Sequence, residues 1–458
     1  MVDWAETPAS LLDIRSDVTR ARRHAGNARS WVFFSLGLAL LLVGFLIGPR
    51  VAPSDQEPIC VGNIHLAGPF GFALNCDSPQ FMALATDPSA LLERDNWRQA
   101  RPGLIGLAAL LRLPLALVTP RQVPFVTKSN PPPPGDITAS FWHSSSAYAA
   151  YILLNIGFLL AGFWLLRDLI ASGDRNDVQG ALIVAAAGLL LVANDVTKAF
   201  VWSPHTQMFN ILVPLLAVRA SLRAWQGAIF NRRWIVAWGL VIGFGLTAYA
   251  VFVVVLACVL FTVFLAIVSR RVPVRVALTH SALLVALSAA PYALWYGFVR
   301  WKTGGFFIAE VSVGEVAWMV QSWEKGALVF ASDLTKYAWE LIALSAPQAA
   351  PVLALLMWAL VYAGFYDRLG AVWAQTRLPV LAALLVSFVT FAFYTCVGLI
   401  VDRLAYAVVP PLVVVAGLLS ISVVRQSDSK SKNLFVSGCV LIALMQLVHV
   451  VVKDGPWS

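Results

Sequence analysis

Apolar residues in this chain form long uninterrupted blocks that are separated by short polar and basic segments. Many blocks are about 17 to 23 residues long, which is enough for a helix to cross a hydrocarbon core of about 30 Å. Such blocks satisfy their backbone hydrogen bonds inside a bilayer only as helices. The alternating pattern of a membrane β-barrel does not occur in the sequence. The pattern therefore predicts an all-α, polytopic membrane protein of about eleven transmembrane helices.

The blocks divide the chain into a cytoplasmic N-terminal segment, a first transmembrane helix, a long outer loop, a transmembrane bundle, a second outer loop that is too polar to span, and a final group of helices. In that order the six regions are 1–30, 31–48, 49–146, 147–298, 299–348 and 349–458. After the first helix, spans are predicted at 147–166, 179–194, 207–223, 234–250, 251–269, 276–298, 349–366, 378–400, 405–424 and 433–452.

The apolar segment Gly103–Val118 is short and contains Arg112 and Pro114. If it crossed the membrane, every later basic loop would face outward. If it lies on the membrane surface, the later basic loops all fall on the cytoplasmic side, as the positive-inside rule requires. We therefore expect two surface helices within the first outer loop, a cytoplasmic N-terminus and a periplasmic C-terminus.

Composition and charge support a membrane protein and argue against nucleic-acid binding. Hydrophobic residues make up 59% of the chain and charged residues 12%, about half the charged fraction of a soluble protein. The net charge is +9, but the excess lies in short loops between apolar blocks, where Lys and Arg orient helices. The expected macromolecular surroundings are therefore membrane lipids, with no nucleic acid.

Two of the five cysteines, Cys60 and Cys76, lie in the first predicted outer loop. Thiols outside a bacterial cytoplasmic membrane are oxidised, so a Cys60–Cys76 disulfide is expected, the alternative being two unpaired thiols. His65, His143 and His205 lack the close spacing of a metal cluster. No metal site is predicted.

The segment 75–85 carries the first candidate chemistry. Pro79 suits the first turn of a helix, and Ser78 or Asp77 is suited to cap it. A carboxylate at that position is stabilised as an anion by the helix dipole. Asp77 is therefore either a simple N-cap or a reactive carboxylate held at the membrane surface.

Two further elements join basic residues to proline or tyrosine, one about 25 residues after Asp77 and one at the outer end of a late span. They read Arg98-Gln99-Ala100-Arg101-Pro102-Gly103 and Asp402-Arg403-Leu404-Ala405-Tyr406, the latter running on to Pro410-Pro411. With an uncleaved first span and the acidic Asp77 in a long first outer loop, this layout resembles that of the GT-C glycosyltransferases, which include protein mannosyltransferases and lipid A aminoarabinose transferases. In this chain Gly103 takes the place of the family's second proline.

This resemblance implies a bacterial inner-membrane enzyme of the cell envelope, which moves a sugar from a polyprenyl-phosphate donor to a lipid or glycan acceptor on the outer face. It implies that Asp77 is the base, and that Arg98, Arg101, Arg403 and Tyr406 bind substrate. The alternative for each arginine is an interfacial anchor to lipid headgroups. The resemblance implies no cofactor beyond this donor and leaves a need for divalent metal open.

A second outer loop, Asn194–Gln207, is dense in polar groups between two apolar helices, where such groups are costly unless they face a cavity. Asp195, Lys198, His205 and Gln207 are therefore candidates to line the pocket of Asp77. The alternative is that Asp195 and Lys198 form a pair that caps a helix end.

Two other functions are open at this point. A transporter or lipid flippase usually has internal repeats and ionisable groups near the bilayer midplane, and neither is evident here. An O-antigen polymerase or ligase-like enzyme normally carries its large polar loop late in the chain, whereas here the largest loop comes early. Both features favour the glycosyltransferase.

Overall fold

The structure, a computed structural model, is dominated by helices that run between two ends of one bundle. It describes residues 28–46, 62–67, 70–74, 77–94, 96–119, 145–170, 178–308, 316–366 and 368–452. The elements are α1 (Ala28–Gly44), β1 (Gly62–Ala67), β2 (Phe70–Leu74), α2 (Ser78–Thr86), α3 (Pro102–Leu115), α4 (Ser145–Ile170), α5 (Val178–Val192), α6 (Asp195–Phe200), α7 (Phe209–Trp225), α8 (Arg232–Ala248), α9 (Phe252–Val268), α10 (Val274–Thr303), α11 (Ala317–Glu324), α12 (Ala327–Phe365), α13 (Leu369–Val397), α14 (Asp402–Ala405), α15 (Val409–Gln426) and α16 (Ser429–Val452). Short 3-10 helices lie at Pro88–Leu92, Ala228–Phe230 and Tyr406–Val408.

The predicted helical, polytopic membrane class is confirmed. Every predicted span overlaps a helix of the structure. By length and hydropathy, six helices of the described part of the chain are suited to crossing a membrane, and four shorter ones are also apolar. The number of eleven transmembrane helices stays a prediction.

Two features of the outer loops differ from the expectation. β1 and β2 pair antiparallel, with Gly62 opposite Leu74, although no strand was predicted. The sequence of β1 alternates polar Asn63 and His65 with apolar Ile64 and Leu66, whereas β2 contains no polar residue, so only one of the two strands has a periodic signal in the sequence. In the second outer loop, α12 begins at Ala327 and runs through the predicted boundary at 348. A helix of 39 residues is about 58 Å long, so it extends well beyond the hydrocarbon core.

The segment that was ambiguous in the sequence forms α3, which is only about 21 Å long. It buries Leu104, Ile105 and Ala108 against the protein and exposes Leu110 and Leu113. It packs on α2, α4 and α8. This length and one-sided burial fit a helix that lies along the bundle rather than one that crosses a membrane by itself.

The centre of the bundle is α15, which is buried along most of its length against α5, α12 and α13. α4 and α7 end together, where Asp168 forms an ion pair with Arg219. α15 ends near the start of α13, where Arg368 donates a hydrogen bond to Ser427 at 2.8 Å. The opposite end of the bundle is therefore the one at which α7 and α15 begin.

Candidate functional site

Three segments that are far apart in the chain meet at the carboxylate of Asp77. Arg98 Nη2 lies 2.5 Å from Asp77 Oδ1, and His205 Nε2 lies 3.0 Å from Oδ2. Asp77 occupies the N-cap position of α2, but its side chain makes no capping hydrogen bond. The alternative of a simple N-cap is therefore wrong, because the carboxylate is turned towards Arg98 and His205.

The surroundings of Asp77 keep it ionised. Burial by itself would raise the pKa of Asp77, but the hydrogen bond from His205 and the positive charges of Arg98 and Arg403 outweigh it. The pKa of this carboxyl is therefore held well below its usual range. The side chain is still 30% exposed, so a group outside the protein has access to it.

His205 is in the opposite state. Burial lowers the pKa of its imidazole to about 4, even though Asp77 acts to raise it, and the charges of Arg403 and Arg101 lower it further. The ring packs between Phe81 and Phe200, with centroids 5.7 and 5.0 Å away. At neutral pH His205 is therefore an uncharged donor to Asp77.

Arg98 is held from three sides. Its Nε donates to Gln80 Oε1 at 3.0 Å, its guanidinium lies 4.8 Å from the centroid of the Phe81 ring, and its backbone N–H donates to Asn96 Oδ1 at 2.9 Å. The side chain is 9% exposed. Arg98 therefore orients Asp77 directly, which makes it more than a headgroup anchor.

Two more arginines lie around this pair. The Arg101 guanidinium is 5.7 Å from the centroid of Tyr249, and that of Arg403 is 6.0 Å from the centroid of Phe200. Both lower the pKa of His205, which places their charges close to the imidazole. Arg98, Arg101 and Arg403 thus form a cationic cluster around one carboxylate.

A buried network of polar side chains lies next to the cluster and is hydrogen-bonded to the backbone of Arg403. Asn210 Nδ2 donates to Gln207 Oε1 at 2.7 Å and to the Arg403 carbonyl oxygen at 2.8 Å. The Tyr394 hydroxyl donates to Asn210 Oδ1 at 2.8 Å. Gln207 is buried and accepts from Asn210, and Asn210 ties the start of α7 to the segment that carries Arg403.

Of the other three predicted substrate-binding residues, Lys198 and Tyr406 donate hydrogen bonds to backbone carbonyl groups. Lys198 Nζ donates to the Val450 carbonyl oxygen at the end of α16, at 3.0 Å. α6 is capped by Asn194, whose side chain accepts from the Thr197 N–H.

Tyr406 is fully buried, and its hydroxyl donates to the Leu191 carbonyl oxygen at 2.6 Å. This hydroxyl therefore joins the start of α15 to the end of α5. Asp195 lies in the first turn of α6.

Cys60 and Cys76 lie outside the described residues. Of the remaining cysteines, Cys258 and Cys439 are buried and Cys396 is half-buried, all as free thiols. Within the described ranges, no three His, Cys, Asp or Glu side chains come together in a group that would hold a metal ion.

Sequence reasoning missed Gln80, Asn210 and Asn155 as parts of the site. Gln80 lies one turn after Asp77, and this spacing is the signal that predicts a shared face. Asn210 and Asn155 are amides in otherwise apolar helices, where an unsatisfied polar group is costly. Each was therefore identifiable as a group that needs a partner, but the partner itself was not.

No family model matches this chain. No curated relative matches it either. Among solved structures it is similar to the crystal structure of ArnT from Cupriavidus metallidurans in the apo state, with 15% sequence identity and a TM-score of 0.46. The likeness covers 93% of this chain and 78% of that one. This likeness concerns the fold alone.

Proposed function

We propose that this protein is an integral-membrane glycosyltransferase. It moves a sugar from a polyprenyl-phosphate donor to an acceptor hydroxyl at the outer face of the cytoplasmic membrane. The observation that carries the proposal is the accessible, ionised carboxylate of Asp77. It lies between Arg98 and His205, with Arg101 and Arg403 close by. A base and a cationic cluster in one place are what sugar transfer from a phosphate requires.

Asp77 acts as the base for the acceptor hydroxyl. Each carboxylate oxygen has more than one acceptor site, so Oδ1 and Oδ2 accept from Arg98 and His205 and still have room for a third donor. As the acceptor oxygen attacks the anomeric carbon, its proton passes to Asp77 while the bond to the phosphate oxygen breaks. The anomeric centre gains oxocarbenium character in this step.

The arginines stabilise the departing phosphate. A guanidinium matches the oxygens of a phosphate in a bidentate geometry and stays charged at any physiological pH. Arg98 is occupied with Asp77 and Gln80, so Arg101 and Arg403 are the better candidates for direct phosphate contact. Their positive charges also lie where negative charge grows in the transition state.

The proposed location follows from the two ends of the bundle. Basic residues gather where α4, α7 and α15 end, as the Asp168–Arg219 ion pair and Arg368 show. Basic ends are held in the cytoplasm, so the opposite end, with Asp77, faces the periplasm. The exposed apolar side of α3, which begins beside Arg101, is suited to the lipid tail of the donor.

The test is a comparison of Asp77→Asn with Asp87→Asn in purified protein. Asp87 is an exposed carboxylate at the other end of α2 that accepts a hydrogen bond from the Ser89 N–H at 3.1 Å, and asparagine is suited to the same capping role. Both variants are given a panel of polyprenyl-phosphate sugars, and release of polyprenyl phosphate is measured. We expect Asp77→Asn to bind the donor without turnover and Asp87→Asn to behave as the wild type.

Turnover by Asp77→Asn at the wild-type rate would remove Asp77 as the base. Failure of the wild type to bind any donor of the panel would contradict the glycosyltransferase. It would favour a transporter, for which a translocated lipid or solute should then be sought.

A further inference from the structure

The turn that carries His205 is anchored by one buried amide of α4. Asn155 is 1% exposed, and its Nδ2 lies 3.0, 3.2 and 2.9 Å from the carbonyl oxygens of Phe200, Val201 and Ser203. An amide inside an apolar helix is costly unless it is hydrogen-bonded. Here one side chain gathers three carbonyl groups from the end of α6 and the turn that follows it.

Further hydrogen bonds tie the same turn to its neighbours. The Tyr148 hydroxyl donates to the Trp202 carbonyl oxygen at 2.8 Å. Ser78 Oγ lies 2.8 Å from Ser203 Oγ and 3.2 Å from the Pro204 carbonyl oxygen. These contacts set the distance between the turn and the start of α2, and hence the distance between His205 and the carboxylate.

His205 offers one nitrogen to Asp77 and keeps the other out of water. Its Nδ1 is buried and accepts no hydrogen bond from the described residues. A carboxylate only accepts hydrogen bonds, so the imidazole proton lies on Nε2 and points at Asp77 Oδ2. The direction of this donor depends on the position of the turn, since the ring is in contact with Phe81 and Phe200.

We propose that His205 is a positioning residue for Asp77, and that Asn155 acts through it by holding the turn in which it lies. The part of this proposal that concerns turnover rests on the proposed function. The part that concerns the ionisation of Asp77 does not.

The ionisation of Asp77 gives the proposal a direct readout. The charged groups around the carboxylate are Arg98 and Arg403, and Arg101 acts on His205. Burial raises the pKa of Asp77, and the His205 hydrogen bond is the largest effect opposing it. Loss of this donor should therefore raise the pKa, so that Asp77 becomes protonated at a higher pH.

The first experiment is an acid titration of the intact protein, followed by the infrared absorption of the protonated carboxyl. The signal of Asp77 is the difference between each protein and its own Asp77→Asn counterpart. We expect His205→Leu to move the titration upward by about one pH unit. His205→Gln keeps an N–H donor and should move it by less. An unchanged titration in His205→Leu would overturn the proposal.

The second experiment tests Asn155 against a matched amide. Gln446 Nε2 donates to the Ala193 carbonyl oxygen at 2.9 Å, which is also a contact from a long helix to the segment between α5 and α7. Asn155→Leu should shift the Asp77 titration in the same direction as His205→Leu, whereas Gln446→Leu should leave it in place. If both variants lowered the melting temperature and neither shifted the titration, Asn155 would be structural only.

A double variant decides whether Asn155 works through His205. Two residues that act along one chain of contacts are not additive, so Asn155→Leu should add no further shift to His205→Leu. Additive shifts of the Asp77 titration would overturn the inference that Asn155 acts through His205. If Asn155→Leu does not fold, Asn155→Ser keeps a shorter donor, and its smaller shift should likewise disappear in the His205→Leu background.

Turnover supplies the readout that depends on the proposed function. Misplacement of the base lowers kcat by about ten- to a hundredfold while KM for the donor changes little. Should Asp77→Asn still turn over, the glycosyltransferase fails, but the titration shifts still decide whether His205 and Asn155 position Asp77.

Discussion

At the residue scale, Asp77 and His205 show opposite balances of burial and charge. For Asp77, burial acts to raise the pKa, but the His205 hydrogen bond and the nearby guanidinium groups together lower the pKa by more than burial raises it. For His205, burial lowers the pKa to about 4, and the single carboxylate of Asp77 does not restore it. The pair is therefore an anion and a neutral donor at neutral pH, so Asp77 is in the deprotonated form that a general base must have to accept a proton.

This balance predicts how stability depends on pH. The folded protein resists protonation of His205, whose usual pKa is 6.5, so stability is lost as pH falls from about 6.5 towards 4. The loss amounts to about 3 kcal/mol below both values. Asp77 has a lowered pKa, so its contribution disappears only at a pH below its usual range. The melting temperature of His205→Gln in detergent should therefore fall less steeply with pH than that of the wild type. If the melting temperatures of the two proteins fell equally steeply with pH, a group other than His205 would control the loss of stability in acid.

The geometry of Arg98 predicts that lysine cannot replace it. The guanidinium reaches Gln80 through Nε and Asp77 through Nη2, and a single ammonium does not span both acceptors. We expect Arg98→Lys to lower sugar transfer about a hundredfold. Arg94→Lys, at an exposed position of the same loop, serves as control and should keep the wild-type rate.

At the scale of elements, the start of α3 explains why glycine stands at position 103. A Cβ there would lie 2.4 Å from Thr247 Oγ1 and 3.1 Å from the Ala248 backbone nitrogen, at the end of α8. A proline at position 103, which the related element has, would also carry a Cβ and would meet the same atoms. The close contact between α3 and α8 therefore requires glycine there. The close contact brings Arg101, the residue before this helix, to the ring of Tyr249.

A pair of glycine variants tests this contact. Gly103→Ala should lower the free energy of unfolding by about 1 to 3 kcal/mol, because α3 must move away from α8. Gly106→Ala lies one turn later, where a Cβ has no atom within 4 Å, and should be neutral or stabilising by up to about 1 kcal/mol. The measurement is thermal melting of the two variants. Equal melting temperatures would contradict the close packing of α3 against α8 at Gly103.

At the scale of the whole molecule, charge and chemistry lie at opposite ends of the bundle. The Asp168–Arg219 pair marks the end at which α4 and α7 finish. Asp77, His205 and Arg403 mark the end at which α7 and α15 begin. The proposed orientation, with the basic ends in the cytoplasm and the site on the periplasmic side, rests on this separation.

Cysteine labelling tests this orientation. In a background without the native cysteines, Glu93→Cys and Gly370→Cys are treated with a membrane-impermeant maleimide. Both positions are exposed, and a Cβ at Gly370 meets no atom within 4 Å. We expect labelling at 93 in intact cells and at 370 only after permeabilisation. Labelling at 370 in intact cells would mean that the segment of α3 crosses the membrane after all.

Much of the fold was predictable because the length and hydropathy of apolar blocks identify membrane helices in a sequence. The second outer loop was harder, since polar residues within α12 broke the apolar pattern without ending the helix. In the site, the sequence placed Asp77 before a helix, while the resemblance to the GT-C glycosyltransferases implied its role and that of Arg98. Lys198 and Tyr406 looked equally suitable in the sequence, yet their side chains bond to the backbone at Val450 and Leu191.

The sequence by itself determined the membrane class, the positions of the helices and the presence of a carboxylate before a surface helix, because each of these depends on local composition and periodicity. Only the tertiary structure decided which polar residues meet that carboxylate. His205 lies 128 positions further along the chain, and its turn is set by Asn155 on another helix. The ionisation of Asp77 likewise depends on burial, on the hydrogen bond from His205 and on the charges of Arg98 and Arg403, and none of these is a property of the segment 75–85 itself.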